Sequence, residues 1–347
     1  MSTAATAALH RVRTSSLIDL IGLLLLAAIV VWMVVKFAED PTRFLNVAII
    51  GVTNGAVYGL VALGYTLVYG ILQLINFAHG DVFALSGLVA STIIVSVLGL
   101  EADASAIVVT GGLIVTLLIT MPLFAVINGS IERVAYKPLR SAPRLAPLIT
   151  AVGVSFIVQN VSLALYGVDF ESVPEFIPRT EGITLGDVFI SWSKVSVFLI
   201  VIPVLLLLTW FIRSTRQGKA MRAVAQDTEA SAMMGIDVNR TISMTFFIAG
   251  ALAAAAGLVY LLQFNMRYDT GFELGLIAFT AAVLGGIGNL TGAVLGAMVI
   301  GLVQALNEGL DGTPGSDWTR SIVFGILIAI LVFRPQGILG ERTPEGA

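Results

Sequence analysis

Cysteine is absent from the 347 residues, histidine occurs only twice, and charged residues make up just 12% of the chain. Without cysteine there is no disulfide, no thiolate nucleophile and no cysteine-ligated metal site. His10 and His79 alone cannot build a histidine metal cluster, so no metal site is expected. No G-x-x-x-x-G-K-[ST] run occurs, and the chain therefore does not cradle nucleotide phosphates in a P-loop. Soluble domains carry roughly 25% charged residues, about twice the share found here. The net charge of −3 by itself says nothing about nucleic acid, but there is no strongly basic domain of the kind that binds it, so nucleic acid is not expected as a partner.

What is present is apolar sequence, 57% of the chain, in runs of the length that crosses a bilayer as an α-helix and without the period-2 alternation of a membrane β-barrel. The expected fold class is all-α, a polytopic transmembrane helical bundle in the lipid bilayer. Eight spans are read at Leu17–Phe37, Phe44–Leu72, His79–Leu98, Ala106–Ile127, Leu148–Tyr166, Lys194–Ile212, Thr241–Phe264 and Thr319–Phe333. A glycine-rich pair, Leu274–Ile287 and Leu290–Leu306, is either two re-entrant half-helices or two closely spaced spans. The first run follows Arg11 and Arg13, exceeds the core of a signal peptide and has no A-x-A-like site after it, so it reads as a retained anchor.

Loop charges alternate in sign along this layout. Arg133, Lys137, Arg140 and Arg144, then Arg213, Arg216, Lys219, Arg222 and Arg240, then Arg334 and Arg342 share a side with Arg11 and Arg13. The other side carries Glu39 and Asp40, Glu101 and Asp103, five carboxylates between Asp169 and Asp187, Asp269 and Glu273, and Glu308, Asp311 and Asp317. The positive-inside bias places both termini in the cytoplasm and the acidic loops outside.

Three constellations interrupt the apolar pattern. In Leu63 to Asp81, glycines at 64, 70 and 80 accompany Asn76, His79 and Asp81, which points to a broken helix at membrane depth. Asp81 has two readings: an N-terminal helix cap, or a proton or substrate relay with His79. Gly51, Gly55 and Gly59 stand four apart, as do Gly292 and Gly296, so each set lines one helix face and admits a neighbouring backbone. Those faces suit either packing within the bundle or a moving or subunit contact. Finally, Gly218 to Met234 reads as one amphipathic cytoplasmic helix stopped by Gly235. Met221, Val224, Ala225, Ala232 and Met233 fall towards one side, and Arg222, Gln226, Asp227 and Glu229 towards the others. Such a helix could dock into a groove on a cytoplasmic partner.

Four segments in order carry a family resemblance. They are Gly55 through Ala62-Leu63-Gly64, Val68-Tyr69-Gly70 and Asn76-Phe77-Ala78-His79-Gly80-Asp81; Glu132 to Arg140 with Leu148-Ile149-Thr150-Ala151-Val152-Gly153; Gly218-Lys219-Ala220-Met221-Arg222-Ala223 to Gly235-Ile236; and Leu284-Gly285-Gly286-Ile287-Gly288-Asn289 with Gly292. Together they resemble the LivH-type permease of branched-chain amino acid ABC importers, from Phe44 onward.

The resemblance implies a permease core over 44–337, after an N-terminal tail and anchor over 1–43 and before a cytoplasmic tail over 338–347. It implies a bacterial cytoplasmic membrane and several partners: a second permease subunit (an M-type paralogue or another copy), two cytoplasmic ATP-binding cassette subunits that hold ATP and Mg, and an external solute-binding protein. This chain would bind no cofactor itself and catalyse no reaction. The segment Gly218, Met221, Arg222, Val224, Asp227, Glu229, Met233 and Gly235, within 213–240, would couple ATPase closure to the bundle. Gly64, Gly70, Asn76, His79 and Gly80, with Gly285, Gly286, Gly288 and Asn289, are the expected pathway residues. A stand-alone transporter driven by protons through His79 and Asp81, and an ABC permease for another small solute such as a sugar, amide or urea, are the alternatives.

Overall fold

The computed structural model describes residues 22, 24, 27–74, 76–140, 142, 143, 145–334 and 336–340. Most of the N-terminal tail and the last seven residues, with the termini assigned to the cytoplasm, lie outside them. The described part of the first span is helix α1 over 27–39. Asp40 then caps α2, Pro41–Leu72: its side chain accepts a hydrogen bond from the Arg43 amide at 2.9 Å, and proline takes the first helical position where its missing N–H costs nothing.

The remaining helices are α3 (Ala78–Thr92, prolonged by a π-turn, Ile93–Val97), α4 (Ala106–Ile131), α5 (Leu145–Tyr166), α6 (Trp192–Ser214), α7 (Arg216–Gln226), α8 (Thr228–Met233), α9 (Val238–Leu261), α10 (Thr270–Gly285), α11 (Leu290–Gly309) and α12 (Ser316–Phe333). Eight of the described helical stretches are long and apolar enough to cross a membrane: α2, α3 with its π-turn, α4 with the turns after it, α5, α6, α9, α11 and α12. The fold is the expected polytopic helical bundle.

The bundle has two layers. In α2, α3 and α9, 72–78% of the most apolar window is buried within the protein, against 11–28% in α4, α5, α6 and α12. Alanine and glycine fill the inner layer, where Ala253, Ala254 and Ala256 of α9 meet Ala56, Leu60 and Leu63 of α2 in one core. The outer helices expose Leu118, Phe156, Leu199, Leu206 and Ile328, which suits hydrocarbon rather than water.

The glycine-rich pair resolves into an antiparallel hairpin of α10 and α11. Its turn at 286–289 lies beside Gly70, near the end of α2, and the chain after α12 hydrogen-bonds to it through Ile338 N–H to the Leu284 carbonyl (2.8 Å) and Leu339 N–H to that of Gly285 (3.0 Å). The hairpin thus turns at the same end of the bundle as α2 and α12 finish. That end carries the basic loops and is called the basic end below; the opposite one is the acidic end. α10 has only 16 residues, which explains why the apolar run looked too short for a span.

The loop between α5 and α6 carries a feature absent from the sequence reading, a β-hairpin of β1 (Gly182–Leu185) and β2 (Val188–Ser191). The alternating Ile183, Leu185, Val188 and Ile190 around Gly186-Asp187 were the signal for it, with Gly186 at φ +64° making the two-residue turn. The hairpin is tied to α2 by the Phe189 amide, which donates to Asn46 Oδ1 at 3.1 Å.

Candidate functional site

The stretch from Leu63 to Asp81 is broken, but not by its glycines. α2 runs through Gly64 and Gly70 without interruption and stops at Leu72, because Gln73 takes the left-handed conformation (φ 52°) and returns its N–H to the Tyr69 carbonyl at 2.7 Å. Gln73 is the one non-glycine residue with positive φ among the described residues, a costly conformation for it. The chain then folds back, and α3 starts beside Gly64.

The glycines serve close contact. At Gly64 an added Cβ would overlap the His79 imidazole, and at Gly80 it would stand 2.9 Å from the Cα of Gly275 on α10. Gly70 faces Gly288. The starts of α3 and α10 therefore meet against the end of α2, with Tyr65 edge-on to His79 at a ring separation of 4.9 Å.

Asp81 does not cap α3. The N-cap is Phe77, with no side-chain bond, and the buried Asp81 carboxylate accepts a hydrogen bond through Oδ2 from the Ser155 hydroxyl of α5, with Gln159 one turn further along the same helix beside it. His79 faces α2. Two residues apart on a helix, the pair point to opposite sides, so the direct relay is not assembled.

Buried polar atoms without a partner concentrate at this break. Five of the nine among the described residues belong to Thr66 (Oγ1), Asn76 (Nδ2), His79 (both ring nitrogens) and Asp81 (Oδ1). Each such atom costs about 1–3 kcal/mol of desolvation, and folding alone would not favour gathering them. One bond holds the segment: the Tyr136 hydroxyl donates to Asn76 Oδ1 at 2.6 Å, with both residues 2% exposed.

The second irregular stretch is a turn. Gly286 and Gly288 have φ of +105° and +91°, and Gly285 packs directly on the backbone of Gly292. Asn289 is the cap of α11, accepting from the Gly292 amide at 2.9 Å and donating to the Leu339 carbonyl at 2.9 Å. Gly51 and Gly55 pack on the α11 backbone, where added Cβ atoms would stand 2.8 Å from Leu302 Cα and 2.7 Å from Met298 Cα. Gly59 faces Val294 and Ala297, and Gly296 faces α10. Both spaced glycine sets are internal packing faces.

At the basic end the expected single helix is two. Asp227 adopts an extended conformation (φ −152°, ψ 109°), ends α7 and caps α8 by accepting from the Ala230 amide at 2.8 Å. A residue whose side chain can serve as a cap outcompetes continuation of the helix. The break splits the apolar face. Gly218, Met221 and Val224 turn inward: Gly218 lies against the last carbonyls of α6, Met221 enters the main core, and Val224 packs with Val68, Tyr136 and Phe246.

Arg222 donates to the Ile212 carbonyl, capping α6. Ala232, Met233 and Met234 project outward instead, with Met233 and Met234 82% and 83% exposed, and Glu229 is exposed beside them. Gly235 ends the projection at φ +82°. Sequence periodicity ran through Asp227 and so assigned Met221 and Met233 to one surface.

The segment after α4 carries part of the family resemblance and no other sequence signal of a site. It forms a π-turn, Glu132–Tyr136, whose fully buried Glu132 pairs with Arg140 and accepts from the Ser243 hydroxyl of α9 at 2.7 Å. Arg140 also donates to Asn239 Oδ1 at 2.6 Å. π-turns concentrate at functional sites, and this one places Tyr136 between α7 and the α2–α3 break.

These features define a multi-pass helical membrane protein with a strained, polar break inside its inner layer and an apolar-tipped projection at one end. The chain belongs to the family described as branched-chain amino acid transport system / permease component, whose profile matches residues 47–332. It is 36% identical over 307 residues, 87% of this chain and 98% of the relative, to the high-affinity branched-chain amino acid transport system permease protein BraD of Pseudomonas aeruginosa. It is 38% identical over 313 residues, 89% and 99% of the two chains, to the permease protein LivH of Salmonella typhimurium. The ribose import permease protein RbsC of Escherichia coli is more distant, 28% identical over 327 residues covering 90% and 91%.

Proposed function

We propose that this chain is the membrane-spanning permease subunit of an ATP-driven importer for branched-chain amino acids. The observation that carries the reading is the match to the permease family through residues 47–332, with relatives named as high-affinity branched-chain amino acid permeases aligned over nearly their whole length. The chain spans the bacterial cytoplasmic membrane with its basic end inward. Residues 44–337 act as the permease core, flanked by the anchor and the short tail.

Two ATP-binding cassette subunits hold ATP and Mg at the basic end, a second permease subunit completes the membrane portion, and a solute-binding protein delivers substrate at the acidic end. ATPase closure reaches the bundle through α7 and α8. The exposed Met233 and Met234 meet the ATPase, while Met221 and Val224 pass the movement into the core. The underpaired α2–α3 break is the element that changes between the two access states, since its polar atoms have most to gain from rearrangement.

Radiolabelled leucine uptake into proteoliposomes tests this. Uptake requires the ATPases, the partner permease, the binding protein and internal ATP together. Uptake by this chain alone under a pH gradient would replace the reading with proton-coupled transport.

A further inference from the structure

At the acidic end, residues of α5, α10 and α12 line an open cleft of about 430 Å³. Two ion pairs flank it. Arg267 holds Asp269 through Nε and Nη2, both at 2.6 Å, and Arg320 of α12 holds Glu273 of α10 through the same atoms at 2.6 and 2.7 Å. Each guanidinium keeps Nη1 without a hydrogen-bond partner among the described residues. Hydrogen bonding to Asp269 pushes Arg267 further above its already high ordinary value, so that group stays charged. Leu276, Ile277, Val323 and Phe324 supply an apolar wall, and Gln159 of α5 lines the cleft as well.

The Arg320–Glu273 pair ties α12 to α10, and together the two bidentate pairs fix both signs of charge at the rim of an apolar cleft. Their chemistry selects a ligand. The set is neutral overall with both signs fixed, which complements a molecule carrying both signs itself. A carboxylate accepts from the free Nη1 groups, and an ammonium group donates to Asp269 and Glu273. An alkyl side chain covers Ile277 and Val323. A bare ion would leave one sign unanswered, and a sugar has no charge to answer either.

An independent observation points inward from the same place. Gln159 borders both the cleft and Asp81, whose carboxylate is fully buried and has Oδ1 unpaired. A charged side chain at membrane depth with an unused acceptor is costly unless it serves a ligand or a change of state.

We infer that the cleft bounded by Arg267, Asp269, Glu273 and Arg320 is the site where a zwitterionic amino acid with an apolar side chain first binds the membrane subunit. The inference rests on the transport reading above and assigns that substrate a place. The test uses the complete transporter in proteoliposomes, with the variants Glu273→Gln and Arg320→Gln and the exchanged pair Glu273→Arg with Arg320→Glu. Leucine uptake and ATP hydrolysis stimulated by the loaded binding protein are measured together.

All three variants are expected to lose uptake by about tenfold, the effect of one charge-assisted hydrogen bond, and to keep stimulated hydrolysis within about twofold of wild type. The exchanged pair retains the tie between α10 and α12 but reverses its polarity, so recovery of uptake in that variant overturns the inference and makes the pair a structural tie. Parallel loss of stimulated hydrolysis also overturns it, making these residues a contact for the binding protein. Unchanged uptake in all three does the same while leaving the transport reading intact. Failure of the wild-type complex to import any amino acid strikes the transport reading itself.

Discussion

The hydroxyl of Tyr136 donates to Oδ1 of Asn76 across 2.6 Å in the protein interior, joining the π-turn after α4 to the gap between α2 and α3. Removing that hydroxyl leaves the Asn76 amide with neither end paired, since Nδ2 already has no partner. Tyr136→Phe is therefore expected to loosen the break by about 1–3 kcal/mol while sparing the apolar contacts of the ring with Phe246 and Val224. Amide hydrogen exchange over residues 73–79 reads this directly. Faster exchange confined to that segment supports the tie; unchanged exchange shows that Asn76 is held by other contacts.

The Glu132–Arg140 pair anchors the same turn to α9 through Ser243 and Asn239. Glu132 is fully buried and Arg140 partly exposed, so Glu132→Gln leaves a guanidinium short of a countercharge in a site only partly open to water. The expected loss is about 1–3 kcal/mol, below the range for a pair buried on both sides. Thermal unfolding in detergent should show a lower midpoint for Glu132→Gln than for Glu132→Gln combined with Arg140→Gln. Equal midpoints would mean the turn is held by packing alone.

Absence of cysteine makes the α2–α11 contact easy to examine. A Cβ at Gly59 would lie 3.7 Å from Cβ of Ala297, inside the span of about 3.5–4.5 Å that a disulfide bridges. Gly59→Cys with Ala297→Cys is expected to cross-link on mild oxidation, leaving no thiol for maleimide. Persistent labelling of both residues after oxidation would place the helices further apart.

How far the sequence reached depends on the kind of signal each element carries. Span positions were legible because bilayer thickness imposes a length, and charge alternation supplied a check on their parity. The glycine spacings at 51, 55 and 59 announced a close helix contact, yet could not say which helix would fill it. At the α2–α3 break the polar residues marked the place, but the break itself is a left-handed glutamine, and nothing in residue type distinguishes Gln73 from a helical glutamine. Asp81 looked like a cap because carboxylates commonly are, whereas its partner Ser155 lies 74 residues away and only the tertiary fold brings them together. At the acidic end Asp269 and Glu273 were read only as part of an acidic loop and Arg267 and Arg320 not at all, since Glu273 and Arg320 are likewise joined by folding alone.

The split at Asp227 separates two surfaces that one helical wheel had merged, and this yields the sharpest expectation for the basic end. Val224 is 2% exposed and packs on Tyr136 and Phe246, so Val224→Asp buries an unpaired carboxylate and should unfold or destabilise the isolated protein by several kcal/mol. Met233 and Met234 are more than 80% exposed and contribute nothing comparable to the fold. Met233→Asp with Met234→Asp should leave the melting temperature within about 2 °C of wild type, as expected for a surface change below about 0.5 kcal/mol. If the methionine tip is the ATPase contact, the same double variant should fail to retain the ATPase subunits in a pull-down from detergent, because a charged pair cannot enter an apolar groove. Retention of the ATPases by that variant would move the contact to another part of the basic end, leaving α8 a solvent-exposed cap on α7.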